Sequence, residues 1–309
     1  MTLRPELAFA SPRKLPKVRE VKGRVVVVDV AFASEASGGG FDKITRPFID
    51  GLGDRLAAWV DHHDHKKHAD YASDPRFVLA TKAEHGACPE MVTPEIVART
   101  GHVDTIVCHT DFDGLCSAAK WIRGGVEPYP GADDDARAID TRTAVPSPVG
   151  QRIDRAIRAR PRDAALFGLI VRHLVTGLED PSLWSGIDEA AREFATREEA
   201  ARRLATRYRV LGAKHAMTDS IAFVDASAEH GRYDKTLLLL LGQERAKVAI
   251  LIDRDTLSLA AHYGSGIDFL ALLGLSGGMP TLVSVQRTRL REIMAMLGVS
   301  SADVEALPT

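Results

Sequence analysis

No apolar run in the chain is long enough to cross a membrane. The longest, Leu237–Leu241, falls far short of the roughly 20 residues that a spanning helix needs. Residues Met1 to Gly23 carry basic side chains and three prolines but no long apolar core, so a secretory leader is not expected and the chain reads as cytoplasmic. Cysteine is scarce: Cys88, Cys108 and Cys116 are an odd number without zinc-type spacing, which suits a reducing compartment and simple packing. An excess of one charge is also missing. A net charge of -2 gives no broad positive field, which argues against a protein that coats long duplex nucleic acid through its phosphates. A short anionic substrate held by local charges stays open. There is no internal repeat.

What is present fits a soluble two-domain enzyme: 309 residues, 45% of them hydrophobic, can build two cores. From Gly23 to about Gly177 short apolar runs alternate with helical patterns, the signature of a doubly wound α/β domain with a mainly parallel sheet. From Ile187 to Val210 acids precede bases at helical spacing, as in Glu198-Glu199-Ala200-Ala201-Arg202-Arg203, which reads as an exposed helical connector. Beyond Gly212 come the apolar strands Ser220–Val224 and Lys247–Ile252, a glycine-rich run and a final helix from Arg287 to Leu297, a second and smaller α/β domain. The expected division is an N-terminal extension over 1–22, a catalytic domain over 23–186, a connector over 187–211 and a substrate domain over 212–309. Asp133-Asp134-Asp135 reads as a solvated loop or an extra metal contact, and the arginine-rich stretch from Arg137 to Arg162 as a solvated helix face or a phosphate-facing patch.

Three apolar runs, Arg24–Val28, Leu56–Val60 and Asp104–Cys108, each end in carboxylates and imidazoles: Asp29, then Asp61-His62-His63, then His109-Thr110-Asp111-Phe112-Asp113-Gly114. If all three are parallel strands, these residues meet at the carboxyl edge of the sheet, where open α/β folds place their ligands. His109, Asp111 and Asp113 share one parity on an extended segment, and Gly114 would let the chain turn sharply into a helix through Cys116–Lys120. Several carboxylates with a few imidazoles are what two hard cations need for phosphoryl chemistry. The oxygen and imidazole mixture favours Mn²⁺, with Mg²⁺ or Fe²⁺ as alternatives. Plainer readings stand beside this one: Asp29 as the cap of a following helix, and Asp61 to His68 as a polar, histidine-rich loop.

Asp61-His62-His63 resembles the signature of the DHH phosphoesterases, and His109–Gly114 resembles their His/Asp-x-Asp motif. That resemblance implies two Mn²⁺ ions held by Asp29, Asp61, His62, His109, Asp111 and Asp113, with Asp29 as the bridge. Asp61 and His63 would assist catalysis or touch phosphate, and the water between the ions would be the nucleophile. The tail after Gly212 is similar to the family's small substrate-binding domain, DHHA1. There His262, Gly264, Ser265, Gly277 and Gly278 would lie near substrate, or else form two tight turns. The order departs from the family's, because the His/Asp-x-Asp motif follows the His-His signature here, so the catalytic domain is expected to be circularly permuted. A last ligand is not obvious; His85 and Asp180 are the candidates, although His85 could cap or pack and Asp180 could start a turn.

The expected function is Mn²⁺-dependent hydrolysis of phosphodiester bonds in short oligonucleotides or linear or cyclic dinucleotides, by a protein that could pair as a homodimer. The alternatives are a pyrophosphatase or polyphosphatase of the same superfamily and a catalytically silent scaffold that keeps the fold.

Overall fold

The computed structural model describes residues 5–34, 39–229, 231–275 and 279–307. The chain divides into two compact units, the first running to Phe194 and the second beginning at Ala195. Among the described residues no helix is long and apolar enough to cross a membrane.

The first unit is built on a five-stranded sheet in the order β1-β5-β2-β3-β4, with β1 Glu6–Ala10, β2 Val25–Val28, β3 Leu56–Asp61, β4 Phe77–Leu79 and β5 Thr105–His109. Every pairing is parallel. The four valines of β2 are fully buried, as expected of a central parallel strand covered on both faces. Alternation decides which face each serves. Val26 and Val28 pack with Ala58, Val60, Ile106 and Cys108, whereas Val25 and Val27 join Leu56, Trp59 and Val107 on the other side.

Helix α1 (Arg46–Leu52) covers the second face through Phe48, Ile49 and Leu52. The first face carries α2 (Pro94–Thr100), α3 (Phe112–Ile122), α4 (Ala132–Thr141), α5 (Pro148–Ala159), α6 (Ala164–Val175) and α7 (Trp184–Glu193). The chain runs outward from β2 through β3 to β4 and then returns to place β5 on the far side of β2. The strand order therefore reverses between β2 and β5, the position at which open α/β sheets leave a crevice beyond their strand ends.

The second unit has the sheet order β10-β9-β8-β7-β6, with β6 Arg209–His215, β7 Thr218–Asp225, β8 Val248–Asp253, β9 Thr256–Ala261 and β10 Leu282–Gln286. Only β7 and β8 run parallel. Helices α8 (Ala195–Ala205) and α9 (Lys235–Gln243) cover one face, and α10 (Phe269–Leu273) and α11 (Leu290–Met296) the other, with α12 (Ser301–Glu305) at the end of the chain.

Three segments differ from their sequence reading. Glu6–Ala10, expected within an extension, forms an edge strand against β5. The expected connector is divided instead: α7 buries Ile187 and Ala190 in the first unit, while α8 buries Ala201 and Leu204 in the second. Asp133-Asp134-Asp135 is the first turn of α4, where acids complement the positive end of a helix.

Candidate metal centre

The strand register brings the site together. Val28 is aligned with Val60 on one side and with Cys108 on the other, so the residues that follow, Asp29, Asp61 and His109, stand level at the carboxyl edge. Asp29 leaves its strand with φ +57°, a left-handed conformation that Asp adopts more readily than most residues and that costs about 1–3 kcal/mol. Its carboxylate is fully buried.

His62 is also fully buried, and its Nδ1–H donates to the carbonyl oxygen of His85 at 2.9 Å. A carbonyl only accepts, so Nδ1 carries the hydrogen and Nε2 is left with the free lone pair of the neutral ring. That Nε2 lies 3.3 Å from Oδ1 of Asp29, 3.3 Å from Oδ2 of Asp113 and 4.0 Å from Oδ2 of Asp140. His109 completes the other side. Its Nδ1 is 3.4 Å from Oδ2 of Asp29 and 2.6 Å from Oδ2 of Asp111.

Acceptors crowded together in this way repel one another unless a proton or a cation lies among them. Both oxygens of Asp29, Nε2 of His62 and Nδ1 of His109 are buried and make no hydrogen bond. Three sets of donor atoms result: Asp29, His62 and His63; Asp29, His109 and Asp111; and His62, Asp113 and Asp140. Asp29 and His62 are each shared by two sets, so these side chains fit a divalent cation centre. The donors are carboxylate and imidazole without thiolate, a combination suited to Mn²⁺, Mg²⁺ or Fe²⁺. Burial pushes the thiols of Cys88, Cys108 and Cys116 up, keeping them protonated.

The electrostatics follow the crowding. Burial opposes a charge on His62, but Asp113 and Asp29 overcome it and push its pKa up to about 11. Burial likewise opposes a charge on His109, yet Asp111 and Asp29 hold it well above the ordinary imidazole range. Asp113 is pushed up by burial and by the neighbouring charges of Asp111 and Asp140. Burial also acts against ionised Asp140, but the Lys82 ammonium paired with it brings its pKa down.

Asp61 lies outside the three donor sets. Its Oδ1 accepts the Nδ1–H of His63 at 2.8 Å, and its Oδ2 faces Nε2 of His68 at 3.9 Å. Burial raises the pKa of Asp61, but the charge and hydrogen bond of His63 bring it below the ordinary carboxylate value. The histidine-rich segment thus divides its work. His62 and His63 face the centre, while the rings of His65 and His68 pack on Phe32, itself fully buried.

Asp111 caps α3, its Oδ1 accepting the backbone N–H of Gly114 at 3.1 Å. Gly114 does not turn the chain into the helix as its sequence reading held, for it already lies within the first turn of α3. A Cβ there would stand 2.6 Å from the carbonyl oxygen of His109, so the absence of a side chain lets the helix pack against the end of β5.

Neither expected last ligand supplies a donor atom to these sets. His85 contributes its backbone carbonyl while its ring faces Glu90, and Asp180 caps the turn at Pro181–Leu183. Asp140 stands in the third set instead. Its signal was an acid one turn beyond Ala136 and next to Ile139, on the stripe of α4 that faces the core. Lys82 left no signal, being a lone lysine between Thr81 and Ala83.

In the second unit His262 begins a tight turn at Tyr263–Ser265, its Nδ1 accepting the N–H of Gly264 at 3.2 Å, and Oγ of Ser265 accepts the N–H of Ile267. Gly277 and Gly278 lie outside the described residues.

No protein-family model matches the chain, and no curated protein matches it. Among solved structures, exonuclease RecJ bound to manganese aligns over 94% of this chain and 77% of that chain, with a TM-score of 0.46 and 14% identity. A likeness of that degree carries no function from one chain to the other.

Proposed function

We propose that this protein is a divalent-metal-dependent phosphoesterase that hydrolyses short nucleotide-type substrates. The observation that carries the reading is Asp29. One buried carboxylate stands between two imidazoles from different strands, its Oδ1 3.3 Å from His62 and its Oδ2 3.4 Å from His109, the placement suited to a carboxylate shared by two cations. Asp29, His109 and Asp111 would hold one ion, and His62, Asp113 and Asp140 the other, with Asp29 common to both. When bound, Mn²⁺ or a similar cation supplies an acidified water and positive charge against a phosphate.

The chain's own residues do the rest. The bond from His62 to the His85 carbonyl keeps Nε2 aimed into the centre, the arrangement by which outer partners orient a ligating imidazole. Lys82 keeps Asp140 ionised. Asp61 holds His63 with Nδ1–H inward, which leaves Nε2 of this partly exposed ring to exchange a proton with substrate or to meet a phosphate oxygen. The motif resemblance to the DHH phosphoesterases agrees with this reading, and the near-neutral charge of the chain favours a short substrate over a long duplex.

The test is hydrolysis of bis-p-nitrophenyl phosphate, a short labelled RNA and pyrophosphate by the purified protein, with Mn²⁺ or with chelator, beside Asp111→Ala. Diester cleavage that needs Mn²⁺ and is lost in the variant is expected. Cleavage of pyrophosphate alone would move the protein to the pyrophosphatases, and rates indifferent to chelator and variant would remove the metal reading.

A further inference from the structure

The part of the arginine-rich stretch that forms α5 supplies no donor to the metal centre. Between helices α5 and α7 lies an open surface cavity of about 360 Å³ whose lining includes Gln151, Arg152, Arg155, Asp188 and Arg192. None of these residues belongs to the three donor sets. Arg152 and Arg155 lie three apart on α5 and so share a face, and Arg192 follows Asp188 by one turn of α7.

The lining carries three guanidinium groups against a single carboxylate. That carboxylate is already committed, because Asp188 receives both Nε and Nη2 of Arg152. The Arg152 guanidinium is further fixed 3.7 Å above the Trp184 ring. Arg192 is exposed in the last turn of α7 and makes no ion pair among the described residues. The cavity is therefore a concave surface lined by more cationic than anionic side chains, with one cation anchored and another at its rim.

We propose that the cavity between α5 and α7 is a second anion site, separate from the metal centre, that takes the phosphate group of a nucleotide. Guanidinium forks match phosphate oxygens in pairs, which an ammonium does not. The volume lies at the small end of the range for ligand pockets and exceeds what a bare ion fills, which leaves room for a nucleoside. Pro148 and Ala191 supply apolar wall, and Gln151, whose amide nitrogen donates to the Pro146 carbonyl at 2.8 Å, offers its amide oxygen as an acceptor. The proposal stands on α5 and α7 alone and does not depend on the metal centre acting as described above. The phosphate could belong to a free mononucleotide or to a strand.

The experiment is equilibrium binding of 5′-AMP and of a short single-stranded oligonucleotide to the full chain in chelator at low salt, with Arg192→Gln, Arg155→Gln and, as a control, Arg291→Gln. Arg291 is an exposed residue of α11 in the other unit, and its substitution changes net charge equally. Weakening by about tenfold or more in Arg192→Gln, with Arg291→Gln within about twofold of the parent, is expected, since a charge-assisted hydrogen bond is worth that much. Loss of AMP binding identifies a free nucleotide, and loss of oligonucleotide binding alone identifies a strand phosphate. Binding of neither ligand, or binding that Arg192→Gln and Arg291→Gln weaken equally, overturns the proposal. Arg192 is exposed, so its variant folds even if Arg155→Gln does not.

Discussion

His62 donates its Nδ1–H to the carbonyl oxygen of His85 at 2.9 Å, a bond within the first unit that commits one ring nitrogen and leaves the other to two buried carboxylates. Without a cation, Nε2 keeps a proton between Asp29 and Asp113. With a cation, that proton must leave.

Proton release should therefore accompany metal uptake. Burial opposes the His62 charge and Asp113 and Asp29 sustain it, placing its folded pKa at about 11, above the ordinary imidazole value of 6.5. Its contribution to the metal-free fold is then fully present below about pH 6.5 and is lost as pH rises through about 11. Calorimetric titration of Mn²⁺ at pH 7 in buffers of different ionisation enthalpy should show about one proton or more released per protein. A heat that does not depend on the buffer would contradict the charged state of His62.

Asp29→Asn keeps the shape of the side chain and suits a positive φ, but removes the shared charge. The parent should gain about 2.7 kcal/mol from Mn²⁺ at a hundredfold excess over Kd, a rise of about 5–10 °C in the Tm of a unit this size. The variant should show almost none of it. An equal rise in both proteins would take Asp29 out of the centre.

Lys82→Met removes the ammonium that pairs with Asp140 and leaves the methylene volume in place. Breaking a buried pair from one side costs about 3–5 kcal/mol, so the metal-free variant should unfold at markedly lower urea. Mn²⁺ should restore part of the loss by bringing positive charge back to the same carboxylates. A midpoint that does not move on substitution would show the pair to be energetically silent.

Gly114→Ala places a methyl 2.6 Å from the His109 carbonyl oxygen. Overpacking of this kind costs about 1–3 kcal/mol, and relief requires α3 to move away from the end of β5. Because Asp111 and Asp113 ride on the start of that helix, Mn²⁺ affinity should fall together with stability. Reduced stability with unchanged affinity would separate the helix contact from the site.

Most of the centre was legible because its donors follow apolar strands. Asp29, His62 and His109 each stand one position beyond or at the end of a strand of buried residues, and the strand register brings them to one edge. Asp140 and Lys82 follow no strand and reach the site through the packing of α4 and of the loop after β4, which periodicity does not encode. The same reason explains the connector: alanine faces such as Ala190 and Ala201 are buried by neighbours whose identity lies elsewhere in the chain. Strands β1, β4, β6, β9 and β10 were not foreseen. In β6 exposed Arg209, Val210 and Gly212 sit beside buried Leu211, a weak signal typical of a strand at a sheet edge.

The place of β5 between β1 and β2 has a consequence for how the chain folds. Glu6–Ala10 pairs in register with Thr105–His109, so β1 meets its neighbour in the sheet only after all of β2, β3 and β4 have emerged. Strands β2, β3 and β4 can assemble as consecutive neighbours, but closure of the sheet awaits a long-range pairing of the kind that slows folding. His109 ends β5, and Asp111, Asp113 and Asp140 come after it. A chain synthesised as far as β4 thus holds Asp29 and His62 but none of His109, Asp111, Asp113 and Asp140, and the three donor sets are complete only once α4 has followed β5.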